Sequence, residues 1–149
     1  MPNVVQDLWS ALGEIRLSRS FTAKSTLFAE GDSPSYVYLI ESGQVQIGIS
    51  TDRGATQLLT TAGPGTLLGL SEAMGGEPHK ISAVSVGQTE ASYVSREDLL
   101  EFLVKQPRLC MEIVRLLSED LHSLYHQFRD LSATPGTRTR RRTTDGRFL

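Results

Sequence analysis

The chain has 149 residues and a formal net charge of −2, enough for one domain with a proper core and too little charge imbalance to imply a nucleic-acid partner for the chain as a whole. Cys110 is the single cysteine, which excludes an internal disulfide and argues against a zinc or iron–sulfur site built from thiolates; it reads as a small buried apolar residue. No apolar run approaches the roughly 20 residues of a membrane span.

From the N-terminus, MPNVVQDLWSALG lacks the charged start and long apolar core of a signal peptide, so a cytoplasmic protein is expected. Residues 3–12 predict a short helix capped by Asn3, with Val4, Leu8, Trp9 and Leu12 on one face and Gly13 as its stop. Strands follow at 26–29 (TLFA), 36–42 (YVYLIES), 44–51 (QVQIGIST), 56–62 (TQLLTTA), 81–87 (ISAVSVG) and 90–96 (EASYVSR). Val45, Ile47 and Ile49 alternate on one face, and Asp52-Arg53-Gly54 predicts a hairpin turn with glycine at positive φ. Gly31, Gly43, Gly54 and Gly65 fall eleven or twelve residues apart, about one strand plus one turn. That is the rhythm of a small antiparallel barrel or jelly roll. The small-residue loop after Gly69, through Ala83, is where such a roll can hold a ligand.

The texture then changes. Ser95-Arg96-Glu97-Asp98 has the spacing of a capping box and opens a helix through about Val104. Pro107 suits the first turn of the next helix. From there Cys110, Val114, Leu117, Leu121, Leu124, Phe128 and Leu131 alternate spacings of four and three over three heptads, a coiled-coil seam for dimerisation. A single amphipathic helix lying on its own barrel is the other reading. Met111, Ile113 and Leu116 lie off the seam and suit packing on the barrel. The divisions expected are a β-roll with its N-terminal helix over 1–106, a dimerisation helix over 107–132 and a basic, disordered tail over 133–149. That tail carries Arg138, Arg140, Arg141, Arg142 and Arg147 against Asp145, so it is +4 and the rest of the chain −6. Its arginines can touch phosphate without specificity.

Five pieces in this order resemble the cyclic-nucleotide-binding domain of the Crp/Fnr family of bacterial transcription regulators. They are LFAEGD (27–32), YVYLIESGQVQI (36–47), DRG (52–54), AGPGTLLGLSEAMGG (62–76) and VSREDLLEFLVKQP (94–107), with the seam helix after them. The resemblance covers about residues 20–131. It implies a mainly β fold, a double-stranded β-helix or jelly roll of about eight strands with flanking helices, followed by a long C-terminal dimerisation helix. It also implies a ligand pocket in which a glycine precedes a glutamate that accepts from the ribose, with an arginine about ten residues on that pairs with the cyclic phosphate.

Gly69 stands at the glycine position here, Leu70 at that of the glutamate and His79 at that of the arginine, with Ser71, Glu72, Lys80 and Ser82 as the remaining pocket candidates. Leu70 cannot accept a hydrogen bond and would face a polar ribose. An imidazole lacks the guanidinium's bidentate fork and permanent charge. Losing a desolvated arginine–phosphate pair costs roughly 2–5 kcal/mol, enough to move a micromolar site toward millimolar. Lys80 as a point charge and Glu72 by a two-residue slip are the available rescues; a solvated loop at His79 and Lys80 is the alternative to any anion site.

The family's long helix leads into a helix-turn-helix domain of about 70 residues. This sequence stops 18 residues after Leu131, in a stretch without helical period. The expected function is therefore a Crp/Fnr-type sensor domain with a degenerate cyclic-nucleotide pocket and no DNA reader of its own. A weak cyclic nucleotide or other small anionic ligand is the effector class implied; no cofactor or metal is. The alternative is a dimerisation module that binds no ligand and pairs with a full-length regulator. An enzyme of cupin type would need a His and carboxylate cluster on strands, and His79, His122 and His126 do not supply one.

Overall fold

The computed structural model describes residues 4–118. Helix α1 (Val4–Leu12) and a 3-10 turn (Gly13–Ile15) precede the strands β1 (Leu17–Phe21), β2 (Thr26–Phe28), β3 (Tyr36–Ser42), β4 (Val45–Ser50), β5 (Thr56–Ala62) and β6 (Leu67–Leu68). Then come helix α2 (Leu70–Gly75), strands β7 (Ser82–Ser85) and β8 (Thr89–Ser95), and helix α3 (Arg96–Val104). A further helix, α4, begins at Pro107 and runs to 118, the last residue described. The strands form two four-stranded antiparallel sheets, in the orders β1-β8-β3-β6 and β2-β7-β4-β5. The fold is mainly β with flanking helices, a jelly roll.

Strand β3 makes the logic of the layers plain. Tyr38 and Ile40 point between the sheets, where they meet Phe21, Leu27, Phe28, Val45, Ile47 and Leu68. Val37 and Leu39 point the other way, into a second core formed with Leu8 and Trp9 of α1, Leu70 and Ala73 of α2, Leu99 and Leu103 of α3, and Ile113 and Leu116 of α4. Both faces of β3 are buried, which is why YVYLI is a continuous apolar run rather than an alternating one.

Most elements lie where the residues predict them, with differences in detail. Asn3 falls outside the described residues, and Val5 rather than Val4 is the fully buried valine of α1. Gly13, at φ +54°, ends α1 and opens the 3-10 turn. Ile49 is only half-buried, because a bulge between Ile47 and Gly48 breaks the register with β5. Strands β1 and β6 were not expected, and the stretch after Gly69, read from its small residues as a loop, opens with helix α2. LSRSF has four exposed residues and one buried, so its apolar signal is weak; it is a strand because β8 offers a free edge along its whole length. Ser20 donates to Glu90 across that edge and Gln88 donates to it from two residues upstream, and together they hold its carboxyl below the usual range.

Two punctuation signals act as the residues imply. Gly54 takes φ +78° in the β4–β5 turn. The Ser95 hydroxyl accepts from the Asp98 N–H at 3.1 Å and caps α3.

The predicted seam is described as far as Leu117. Ile113 and Leu116 are buried in the helical core, while Leu109, Cys110 and Leu117 are partly buried against it. Met111 is 55% exposed and does not pack on the barrel; Val114 is 40% exposed. The seam positions Leu121, Leu124, Phe128 and Leu131, the pair His122 and His126, and the arginine tail lie outside the described residues.

Candidate functional site

The site forms where β6 runs into α2. Gly69 is the residue before α2, at φ +87°, a backbone conformation that L side chains rarely adopt. A Cβ there would stand 3.2 Å from both the His79 ring and the Tyr36 carbonyl oxygen. The chain can therefore bring α2, β3 and the loop before β7 this close only through glycine.

Leu70 does not face a pocket. It is 1% exposed and packs in the helical core with Leu8, Trp9 and Leu99. The side chain that turns toward His79 is Glu72, one of the few buried charged groups. His79 Nδ1 lies 3.3 Å from Glu72 Oε1. The His79 ring stacks on Phe28, with centroids 3.9 Å apart and planes 17° from parallel. Its backbone is held as firmly: the His79 N–H donates to Asp32 O at 2.9 Å, and the Gly31 N–H donates to His79 O at 2.8 Å.

The other candidates separate. Lys80 is exposed and pairs at 3.4 Å with the equally exposed Glu77. Ser71 is exposed on α2. The Ser82 hydroxyl accepts from the Glu30 N–H at 2.8 Å. So Gly69, Glu72 and His79 come together, and Leu70, Ser71 and Lys80 point elsewhere. The solvated-loop alternative holds for Lys80 and not for His79, which is 3% exposed.

Four contributors were not singled out from the sequence. Phe28 and Asp32 lie in the LFAEGD piece, which signalled their segment but not their roles. Tyr36, itself exposed, begins an aromatic run, with Tyr93 edge-on at 5.4 Å and Tyr38 beyond at 5.8 Å from Tyr93. Burial pushes the Tyr38 phenol up, helped by Tyr36 and Tyr93 and opposed by Arg19. Arg96 reaches the far end of α2, where its Nε donates to the Ala73 carbonyl at 2.7 Å. Among the described residues, every fully buried side-chain nitrogen and oxygen has a hydrogen-bond partner. No helix among them is long and apolar enough to cross a membrane.

Residues 18–106 match the family described as Cyclic nucleotide-binding domain. The CRP-like cAMP-activated global transcriptional regulator of Mycobacterium tuberculosis is 29% identical over 114 residues, covering 76% of this chain and 51% of the regulator. The transcriptional activator protein FnrA of Stutzerimonas stutzeri is 28% identical over 117 residues, covering 78% of this chain and 48% of FnrA. Among solved structures, the catabolite activator protein of Thermus thermophilus superposes with a TM-score of 0.72 at 26% identity, over 89% of this chain and 60% of that one. The chain spans about half the length of these two curated relatives.

Proposed function

This chain belongs to the cyclic nucleotide-binding domain family, and from that premise we propose that it is the sensor domain of a Crp/Fnr-type transcription regulator whose pocket is degenerate toward cyclic nucleotides. The observation that carries the reading is the inward, internally paired His79. Where the family places a guanidinium for the phosphate, this chain has an imidazole stacked on Phe28 and bonded to Glu72. A cyclic phosphate entering here would meet the Glu72 carboxylate with no permanent cation beside it, and would have to part a satisfied pair. Glu72 supports the slipped position for the ribose acceptor, and its side chain is already engaged with His79.

The sensor domain is, on this proposal, a homodimer joined through α4 and the seam positions C-terminal to it. Exposed Val114, a seam position that the intramolecular core leaves uncovered, supports that part.

Titration calorimetry of the whole chain with cyclic AMP and cyclic GMP tests the pocket. The unmodified protein should bind near millimolar or more weakly, on the scale of a lost arginine–phosphate pair. His79→Arg should gain about tenfold or more for cyclic AMP, because it restores the fork and the permanent charge for the cyclic phosphate. Replacing Leu70 by glutamate is no part of the test, since it would bury a charge in the helical core. Micromolar binding by the unmodified protein would overturn the reading. Failure of His79→Arg to gain, in a protein that still folds, favours the second reading: a dimerisation module that binds no ligand, consistent with the internal satisfaction of its buried polar groups.

A further inference from the structure

Arg96 is a mixed element: its backbone opens one helix while its side chain closes another. It is the first residue of α3, directly after the Ser95 cap, and its N–H donates to the Ser35 carbonyl at 2.9 Å. Its guanidinium reaches back over 23 residues of chain to the Ala73 carbonyl, at 2.7 Å. Ala73 is in the last turn of the six-residue α2, where carbonyls have no intrahelical partner. Gly76, which ends α2 at φ +72°, leaves the room for this: a Cβ there would stand 3.0 Å from Arg96 Nη2. Among the described residues the guanidinium pairs with no carboxylate. Its polar capacity is thus directed at the end of α2 and not at a surface ion pair.

The consequence concerns what α2 can do alone. One end of α2 begins at Gly69, where the backbone passes close to the His79 ring and the Tyr36 carbonyl, and the other is bonded by Arg96. Leu70 and Ala73 lie in the same core as Leu99 and Leu103 of α3 and Ile113 and Leu116 of α4. Apolar contacts of this kind are non-directional and allow helices to slide. A charge-assisted hydrogen bond at 2.7 Å is directional and breaks instead.

We infer that Arg96 is a positioning residue that makes α2 and the helices after β8 respond as one body, so that a displacement at the Gly69–His79 site reaches α4. The inference rests on the reading that this site is the effector site only for its meaning in regulation; the mechanical coupling stands or falls separately.

Hydrogen exchange on the full chain, read segment by segment, tests it. Ser71→Gly loosens α2 through backbone entropy at an exposed position, and should raise exchange about two- to threefold in 70–76. With Arg96 present the rise should also appear in 107–118; in an Arg96→Gln background it should stay within 70–76, with β3 and β8 unchanged in both. A rise that reaches 107–118 regardless of Arg96 overturns the coupling, as does one that never reaches it. A uniform rise across β3, β8 and α4 on Arg96→Gln alone would make the residue merely structural and also overturns it. Should Arg96→Gln not fold, Arg96→Lys, which keeps the charge and loses the fork, is used in its place and should weaken the transmission. His79→Ala in the same format tests the site. If Ser71→Gly transmits and His79→Ala leaves 70–76 unchanged, the coupling holds and the site reading fails.

Discussion

Gly69 and Tyr38 are the residues whose replacement reports most directly on this interior. At Gly69 any side chain meets the His79 ring and the Tyr36 carbonyl, and pays in backbone strain as well. Gly69→Ala should therefore lower stability by roughly 1–2 kcal/mol, read as a lower urea midpoint with an unchanged slope. Tyr38 gives a pH signature. Its phenol is raised above 10.0, first by burial and then by Tyr36 and Tyr93, against the pull of Arg19. The folded state therefore holds this proton at a pH where the unfolded chain has released it. Stability should fall as pH rises through the unfolded value of 10.0. Its hydroxyl contact to the Leu27 carbonyl is long, at 3.5 Å, so Tyr38→Phe should cost little near neutrality. The same change should reduce the alkaline loss, which urea titrations at about pH 8 and pH 11 would measure. Equal alkaline loss in the two proteins would remove Tyr38 as its source.

At the scale of elements, the helices after β8 repeat one theme: caps set by local sequence, faces set by packing. The Ser95 cap follows from the residues alone, and Ser95→Ala should cost about 1 kcal/mol of stability. The faces of α4 do not. A heptad reading assigns Cys110, Val114 and Leu117 to one seam, yet Cys110 and Leu117 are partly buried against the intramolecular core while Val114 is exposed. The core is served by Ile113 and Leu116, offset from the seam by one position, and a period of 3.5 cannot separate these two stripes over the three turns described. Val114 is consequently the clean probe of dimerisation. Val114→Asp should turn a dimer into a monomer in sedimentation at tens of micromolar, with the far-ultraviolet dichroism of the fold retained. A monomer in the unmodified protein would remove the homodimer from the proposal.

For the whole molecule, the question is whether the helical layer and the β-roll unfold together. Sheet β1-β8-β3-β6 is shared between the two cores, with Val37, Leu39 and Val94 on one face and Tyr38, Ile40 and Ala91 on the other. Trp9 joins α1 to this sheet through its indole N–H, which donates to Ser92 Oγ at 2.6 Å, and that hydroxyl donates to Glu41 at 2.8 Å. Trp9 is the chain's single tryptophan, so its fluorescence reports the docking of α1 while dichroism reports the strands. The two urea transitions should coincide. An earlier fluorescence transition would mean that α1 leaves before the roll opens.

Helix α1, the β3 to β5 ladder, the capped α3 and the break at Pro107 were legible in the residues, because strand alternation, turn glycines and helix caps are local: each is settled by a few neighbours in the chain. The stretch after Gly69 was singled out as the candidate site from the glycine spacing and the family resemblance. What its side chains do there was not. Leu70 and Glu72 are two residues apart on one short helix, and the residue names alone do not say which faces inward. The presence of a helical core under Val37, Leu39 and Val94 draws Leu70 into it and leaves Glu72 to turn toward His79. Phe28 and Arg96 reach the site from strands and helices far along the chain, and β1 exists because β8 has an edge to fill. These are nonlocal choices, and they are made by burial: an apolar side chain goes where the layers leave an apolar space, and the polar groups left over must find one another.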